Sequence, residues 1–87
     1  MHANFSDDLR SRGRKVELDE FQSEALRRVV EQLLEKRTES AELWEFEDGE
    51  LYVVAVPAAG LEVHIIHATP DVLRYVRDMT EFLRAHR

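Results

Sequence analysis

The chain contains no cysteine. Disulfides, thiolate metal sites and cysteine nucleophiles are therefore excluded, and folding needs no oxidising compartment. Proline occurs twice and glycine three times, so each break between elements has to be read on its own. Aromatic residues make up 8%, which leaves the core mainly to Leu, Val and Ile. No apolar run approaches the roughly 18 residues of a membrane span. The opening MHANFSDDLRSRGRK has no apolar stretch of the secretory type. There is no Gly-rich phosphate loop and no Gly-x-Ser-x-Gly stretch. These absences predict a cytoplasmic protein with no cofactor and no membrane contact.

What is present is one small domain of 87 residues with a net charge of −6. The charge is uneven. Residues 1 to 18 hold four basic and three acidic side chains, and residues 19 to 87 hold eight and fifteen. An acidic body repels nucleic-acid backbone at long range, which disfavours a nucleic-acid partner.

Residues 1 to 15 are polar and read as a flexible N-terminal arm, with residues 16 to 87 as the single folded domain. Lys15 to Leu18 alternates and admits a short extra strand. The first helix starts at Asp19, an N-cap that forms a capping box with Gln22. Phe21, Ala25, Leu26, Val29, Val30, Leu33 and Leu34 follow as a broad apolar stripe at helical spacing. A second helix starts at Thr69-Pro70-Asp71, a cap, a favoured first residue and a dipole-matched acid. Val72, Val76, Met79 and Leu83 form its inward stripe, with Leu73 and Phe82 beside it.

Between the helices, LWEFEDGELYVVAVPAAGLEVHIIH reads as three short strands. Asp48-Gly49 predicts a two-residue type I′ hairpin, which sets Phe46 opposite Leu51 and Trp44 opposite Val53. A three-residue loop Ala58-Ala59-Gly60 then sets Ala55 opposite Val63 and Val53 opposite Ile65. One face becomes Trp44, Phe46, Leu51, Val53, Ala55, Leu61, Val63 and Ile65, wholly apolar. A four-residue loop, Pro57 to Gly60, would place Glu62 and His64 on that face and bury a carboxylate.

The expected fold is α+β: a two-layer α-β-β-β-α domain, with a three-stranded antiparallel meander and both helices packed on one face. Over residues 19 to 86 this order resembles the double-stranded-RNA-binding domain and the HicA-type toxins that share its topology. The resemblance stops at element order. The RNA-binding family places lysines at the start of the second helix, where this chain has Thr69-Pro70-Asp71. The toxin family has a glycine and histidine before its central strands, and no such stretch occurs here.

His64 and His67 are three apart, a spacing that would share a metal on a helix but points to opposite faces on a strand. The strand reading therefore predicts no metal site. In the expected register the outer sheet face carries Glu45, Glu47, Glu50, Tyr52, Val54, Val56, Glu62, His64 and Ile66. Of these, Tyr52, Val54, Val56, His64 and Ile66 form an apolar-centred patch of the kind that marks an interface. A catalytic use of His64 with Glu45 or Glu62 lacks a cleft to exclude water, so no enzyme is expected.

Two charged clusters complete the reading. Residues 39 to 50 hold six carboxylates and no basic residue. Among them, Glu42, Glu45, Glu47, Asp48 and Glu50 predict an acidic docking surface. Arg10, Arg12, Arg14 and Lys15 form a basic arm able to grip phosphate. The third strand carries little charge to guard its edge. The expectation is a small, acidic, non-enzymatic interaction protein: an adaptor, a chaperone-like subunit or a regulator. It would be homodimeric through the outer sheet face or the third-strand edge, and would bind another protein besides. The alternative is a nucleic-acid-associated regulator using the basic arm.

Overall fold

A computed structural model describes residues 12–58 and 63–86. The elements are β1 (Gly13–Lys15), α1 (Glu20–Leu34), β2 (Thr38–Phe46), β3 (Leu51–Pro57), β4 (His64–His67) and α2 (Pro70–Ala85). The four strands form one antiparallel sheet in the order β1-β2-β3-β4. The class is α+β, but the meander has four strands, not three. The additional strand is Gly13–Lys15, which pairs with Phe46, Glu45 and Trp44. The expected arm of residues 1 to 15 therefore loses its last three residues to the sheet; residues 1–11, with Arg10, lie outside the described residues.

Both helices begin as their capping residues require. The Asp19 Oδ1 accepts from the Gln22 N–H at 2.8 Å, and the Gln22 Oε1 accepts from the Asp19 N–H at 2.9 Å. The Thr69 hydroxyl oxygen accepts from the Val72 N–H at 3.3 Å, with Pro70 next in the first helical position. Arg84, near the end of α2, forms an ion pair with Asp19 and lies over the Phe21 ring, 5.8 Å from its centroid. The end of α2 thus meets the start of α1, and the helices run antiparallel.

The core holds Leu26 and Val30 of α1, Leu43 of β2, Val53 and Ala55 of β3, and Ala68. Val16, Leu18, Ala41, Leu51 and Ile66 close it from the sheet, and Leu73 and Val76 from α2. Leu26, Val30 and Val53 are at most 1% exposed. Each contributes about 1.5–3 kcal/mol by leaving water. The inward stripe of α2 also includes Thr80, 6% exposed, whose hydroxyl donates to the Val76 carbonyl at 2.7 Å. Phe82, expected beside that stripe, is 53% exposed.

The strand phases differ from the expected ones on either side of β3. The first turn has three residues. The Phe46 N–H donates to the Glu50 carbonyl at 2.9 Å, and the Gly49 N–H donates to the Phe46 carbonyl at 2.9 Å. Gly49 takes φ +85°, the left-handed position of a bulge turn, and the Asp48 carboxylate accepts from the Glu50 N–H. Asp-Gly thus fills the last two places of the loop instead of the whole of it. Leu43 consequently faces Val53, and Trp44 faces Tyr52. Beyond the second turn, Ala55 faces His64 and Val53 faces Ile66. A slip of one residue turns every side chain of a strand over. The inner face is therefore Ala41, Leu43, Glu45, Leu51, Val53, Ala55, His64 and Ile66; of these only the β3 residues were expected there.

One polar cluster fixes β2 beneath α1. The Arg27 guanidinium grips both Glu24 carboxylate oxygens, at 2.6 and 3.0 Å, and donates to Glu31 at 2.8 Å and to the Thr38 carbonyl at 3.2 Å. Glu31 also accepts from the Thr38 N–H at 3.0 Å. Thr38 is 3% exposed, so this pairing satisfies a backbone donor and acceptor that water does not reach. Hydrogen bonds from Arg27, and then from Arg28, hold the Glu24 carboxyl down to about 2.

Candidate functional site

The face of the sheet turned away from the core is built by alternation along each strand. β1 supplies Lys15, β2 supplies Ser40, Glu42, Trp44 and Phe46, and β3 supplies Tyr52, Val54 and Val56. β4 adds Ile65 and His67. Three of the expected interface residues, Tyr52, Val54 and Val56, lie on this face, but Val54 is buried at 9% exposure and Tyr52 and Val56 are half-buried. His64 and Ile66 do not: both turn to the core side, because β4 is shifted by one residue from the expected register. Ile65 and His67 replace them.

Trp44 and Phe46, expected in the core, reach the outer face through the three-residue turn. Their arrival makes the patch aromatic. The Tyr52 ring lies 5.0 Å from Phe46 and 5.1 Å from His67, each pair tilted. These distances are in the range of favourable ring pairs. Trp44 stands opposite Tyr52 and donates its indole N–H to Glu42 at 3.1 Å. Among the described residues both helices contribute to the core on the other side of the sheet, α1 through Leu26 and Val30 and α2 through Leu73 and Val76.

The charged groups around this face are largely engaged with one another. Lys15 pairs with Glu42 at 3.1 Å, and Arg14 with Glu45 at 2.7 Å. The His67 Nε2 lies 2.8 Å from Glu50. Asp48 caps its own turn. The expected acidic surface is thus divided. Glu42 and Glu50 rim the outer face, Glu45 is on the core side, and the exposed Glu47 and Asp48 stand at the hairpin tip. Arg14 and Lys15, expected to grip phosphate from a free arm, are strand residues in ion pairs with the sheet. Arg12 also has an interaction partner, and Arg10 is outside the described residues.

The histidines part to opposite faces as strand spacing requires, but each takes the side expected for the other. His64 faces Ala55, two strands from Glu45 and several residues along the sheet, so those two groups do not meet. Glu62 lies outside the described residues. Among the described residues no group of three or more His, Asp or Glu side chains is placed to hold a metal. Among the same residues, no helix is long and apolar enough to cross a membrane.

A second apolar surface, not foreseen from the sequence, lies between the helices. A groove of about 520 Å³ is lined by Val29, Leu33, Tyr75, Met79 and Phe82. Leu33, Tyr75 and Phe82 are about half exposed there. Its signal in the sequence was the width of both helical stripes, since Val29, Leu33 and Met79 lie within them and Phe82 beside one. Phe82 is covered on one side by His86, stacked at 4.2 Å.

Comparison with known proteins finds no matching family model, curated protein or solved structure.

Proposed function

We propose that the chain is a small, acidic, non-enzymatic interaction protein of the cytoplasm, an adaptor or regulatory subunit that works as a homodimer. The observation that carries this reading is the aromatic and β-branched outer face: half-buried Trp44, Phe46, Tyr52, Val56 and Ile65 around a buried Val54, on one side of a four-stranded sheet. Contiguous apolar surface with aromatic centres and a rim of carboxylates is the composition of protein contact surfaces. Among the described residues near it, none assemble a nucleophile, a base and a cleft. Ion pairing of Arg14 and Lys15 within the sheet speaks against the nucleic-acid alternative.

The test is sedimentation across a concentration series. The intact chain should sediment as a dimer at roughly 500 µM, a concentration at which even a small interface is populated. Val56→Asp, which places a charge at a half-buried position of the outer face, should weaken association, with far-ultraviolet circular dichroism unchanged, where the copies meet through that face. An intact chain that remains monomeric throughout would remove the homodimer reading.

A further inference from the structure

The homodimer reading does not say where the two copies meet. We propose that they join along β4, each adding its strand antiparallel to the other and forming an eight-stranded sheet across a two-fold axis at Ile65. The proposal rests on the homodimer reading and sharpens it.

The backbone decides which groups are available. The Ala68 N–H donates to the Leu51 carbonyl at 2.9 Å, one pair beyond Tyr52 and His67 in the same ladder. In an antiparallel ladder, alternate residues direct both backbone groups to the same neighbour. Ala68, Ile66 and His64 therefore turn their N–H and C=O groups toward β3, and Ile65 and His67 turn theirs to the other side. β4 is the last strand in the sheet order, so among the described residues that side is an edge. The His67 carbonyl accepts from the Thr69 N–H at 3.0 Å. The N–H and C=O of Ile65 and the N–H of His67 face the edge with no described strand beside them.

β4 is short, at four residues, which limits pairing, but it carries no charged or proline guard. Lysine, proline and inward-pointing charges protect natural edges from pairing. The strand sequence is His-Ile-Ile-His, with none of these. The opposite side of the sheet differs: there β1 covers β2, and its Arg14 and Lys15 are charged.

The occupant that fits is a second copy of this strand. A two-fold axis at Ile65 sets the two Ile65 residues opposite each other, exchanging both backbone hydrogen bonds. His67 then lies opposite Val63 of the second copy, and its N–H reaches that carbonyl. Val63 is 42% exposed. On the outer face the pairs are Ile65 with Ile65 and His67 with Val63; on the core side His64 meets Ile66. No like charges are opposed, which would disfavour pairing. The axis runs perpendicular to the sheet, so the two outer faces become one continuous surface with a Phe46–Tyr52–His67 ladder at either side. Four residues per copy bury far less than the roughly 800 Å² per partner of a standard interface. Association is therefore concentration-dependent.

Ile65→Pro tests this. Proline removes the Ile65 N–H, which points to the edge, and leaves the hydrogen bonds from β4 to β3 intact; edge strands tolerate it. The expected result is at least about a tenfold rise in the dimer dissociation constant by sedimentation, with the circular dichroism unchanged. Amide exchange of the intact chain provides a second measurement that needs no variant. The Ile65 and His67 amides should exchange more slowly at high than at low concentration, and the Ile66 amide should not change. If Ile65→Pro stays dimeric while Val56→Asp becomes monomeric, the copies meet face to face: the edge pairing is wrong and the homodimer reading stands. Concentration-independent exchange at Ile65 and His67 in a sedimenting dimer also overturns the edge. An intact chain that is monomeric throughout overturns both.

Discussion

Adjacent residues of β2, Leu43 and Trp44, separate the two faces of the sheet more sharply than any distant pair. Leu43 is 9% exposed and packs with Leu26, Val30 and Val53. Truncation to alanine removes buried methyl groups and leaves a cavity under α1. Buried Leu→Ala changes cost about 2–5 kcal/mol, and the position of Leu43 at the core margin places it near 3. For a domain of this size each kcal/mol lowers the melting temperature by about 4–8 °C, so Leu43→Ala should lose about 12–24 °C. Trp44 is the larger residue, yet it lies on the outer face and is only half-buried. Trp44→Ala should cost about 1 kcal/mol in the monomer, with less than 8 °C in melting temperature. The assay is thermal unfolding by circular dichroism at low protein concentration, so that association does not contribute. Trp44 is also the only tryptophan, and its fluorescence should be quenched readily by acrylamide in the dilute protein. A Trp44→Ala loss exceeding that of Leu43→Ala, or an indole shielded from quencher in the monomer, would refute this phase of β2 and restore the aromatic residues to the core.

Three further outcomes follow from local geometry. Glu31→Ala should cost about 1.5–3 kcal/mol in urea unfolding, because it leaves the buried Thr38 N–H without its acceptor and Arg27 without one of its carboxylates; a change below 0.5 kcal/mol (order of magnitude) would mean that the cluster does not hold β2. Acid should destabilise the fold through Glu24, whose carboxyl is held at about 2 against an ordinary 4.5: a depressed pKa stabilises above the unfolded value, and that stabilisation is lost as pH falls from 4.5 toward 2. Glu24 is 38% exposed, so screening limits its share to about 1 kcal/mol, and Glu24→Gln should flatten the fall in stability over that window relative to the unchanged chain. Gly49→Ala should cost about 1 kcal/mol from backbone strain alone, since φ is +85° and nothing lies within 4 Å of an added Cβ; no loss of stability would show that the turn is not the bulge type.

The elements were legible in the sequence because each carried a redundant signal. Both helices announced themselves through a cap and a periodic stripe, and the structure starts them at Asp19 and Thr69. β3 was phased correctly, with Leu51, Val53 and Ala55 on the core side, although its other side, Tyr52, Val54 and Val56, is also largely apolar. Its neighbours were not. In β2, Ala41 and Leu43 compete with Trp44 and Phe46 for the core, and in β4 the adjacent Ile65 and Ile66 offer either side. Alternation cannot choose when both phases are apolar. The choice passed to turn geometry, and Asp-Gly serves a two-residue loop or the end of a three-residue one equally well. Helix α1 settles β2: over the sheet it meets Ala41 and Leu43, while the broad rings of Trp44 and Phe46 go to the outer face.

That ambiguity bears on function. A sheet with one polar face needs no partner, and its sequence then specifies its own register. Here both faces of β2 and β4 are apolar, and the helices use only one of them. The second set of apolar side chains lies outside the α1–sheet core and is stabilised in the monomer only by contacts along the outer face, where it stays half-exposed. The residues that made the register unreadable, Trp44, Phe46 and Ile65, are the same residues that form the candidate surface. A strand that serves two cores carries two hydrophobic phases, and the phase not used by the fold points to the binding surface.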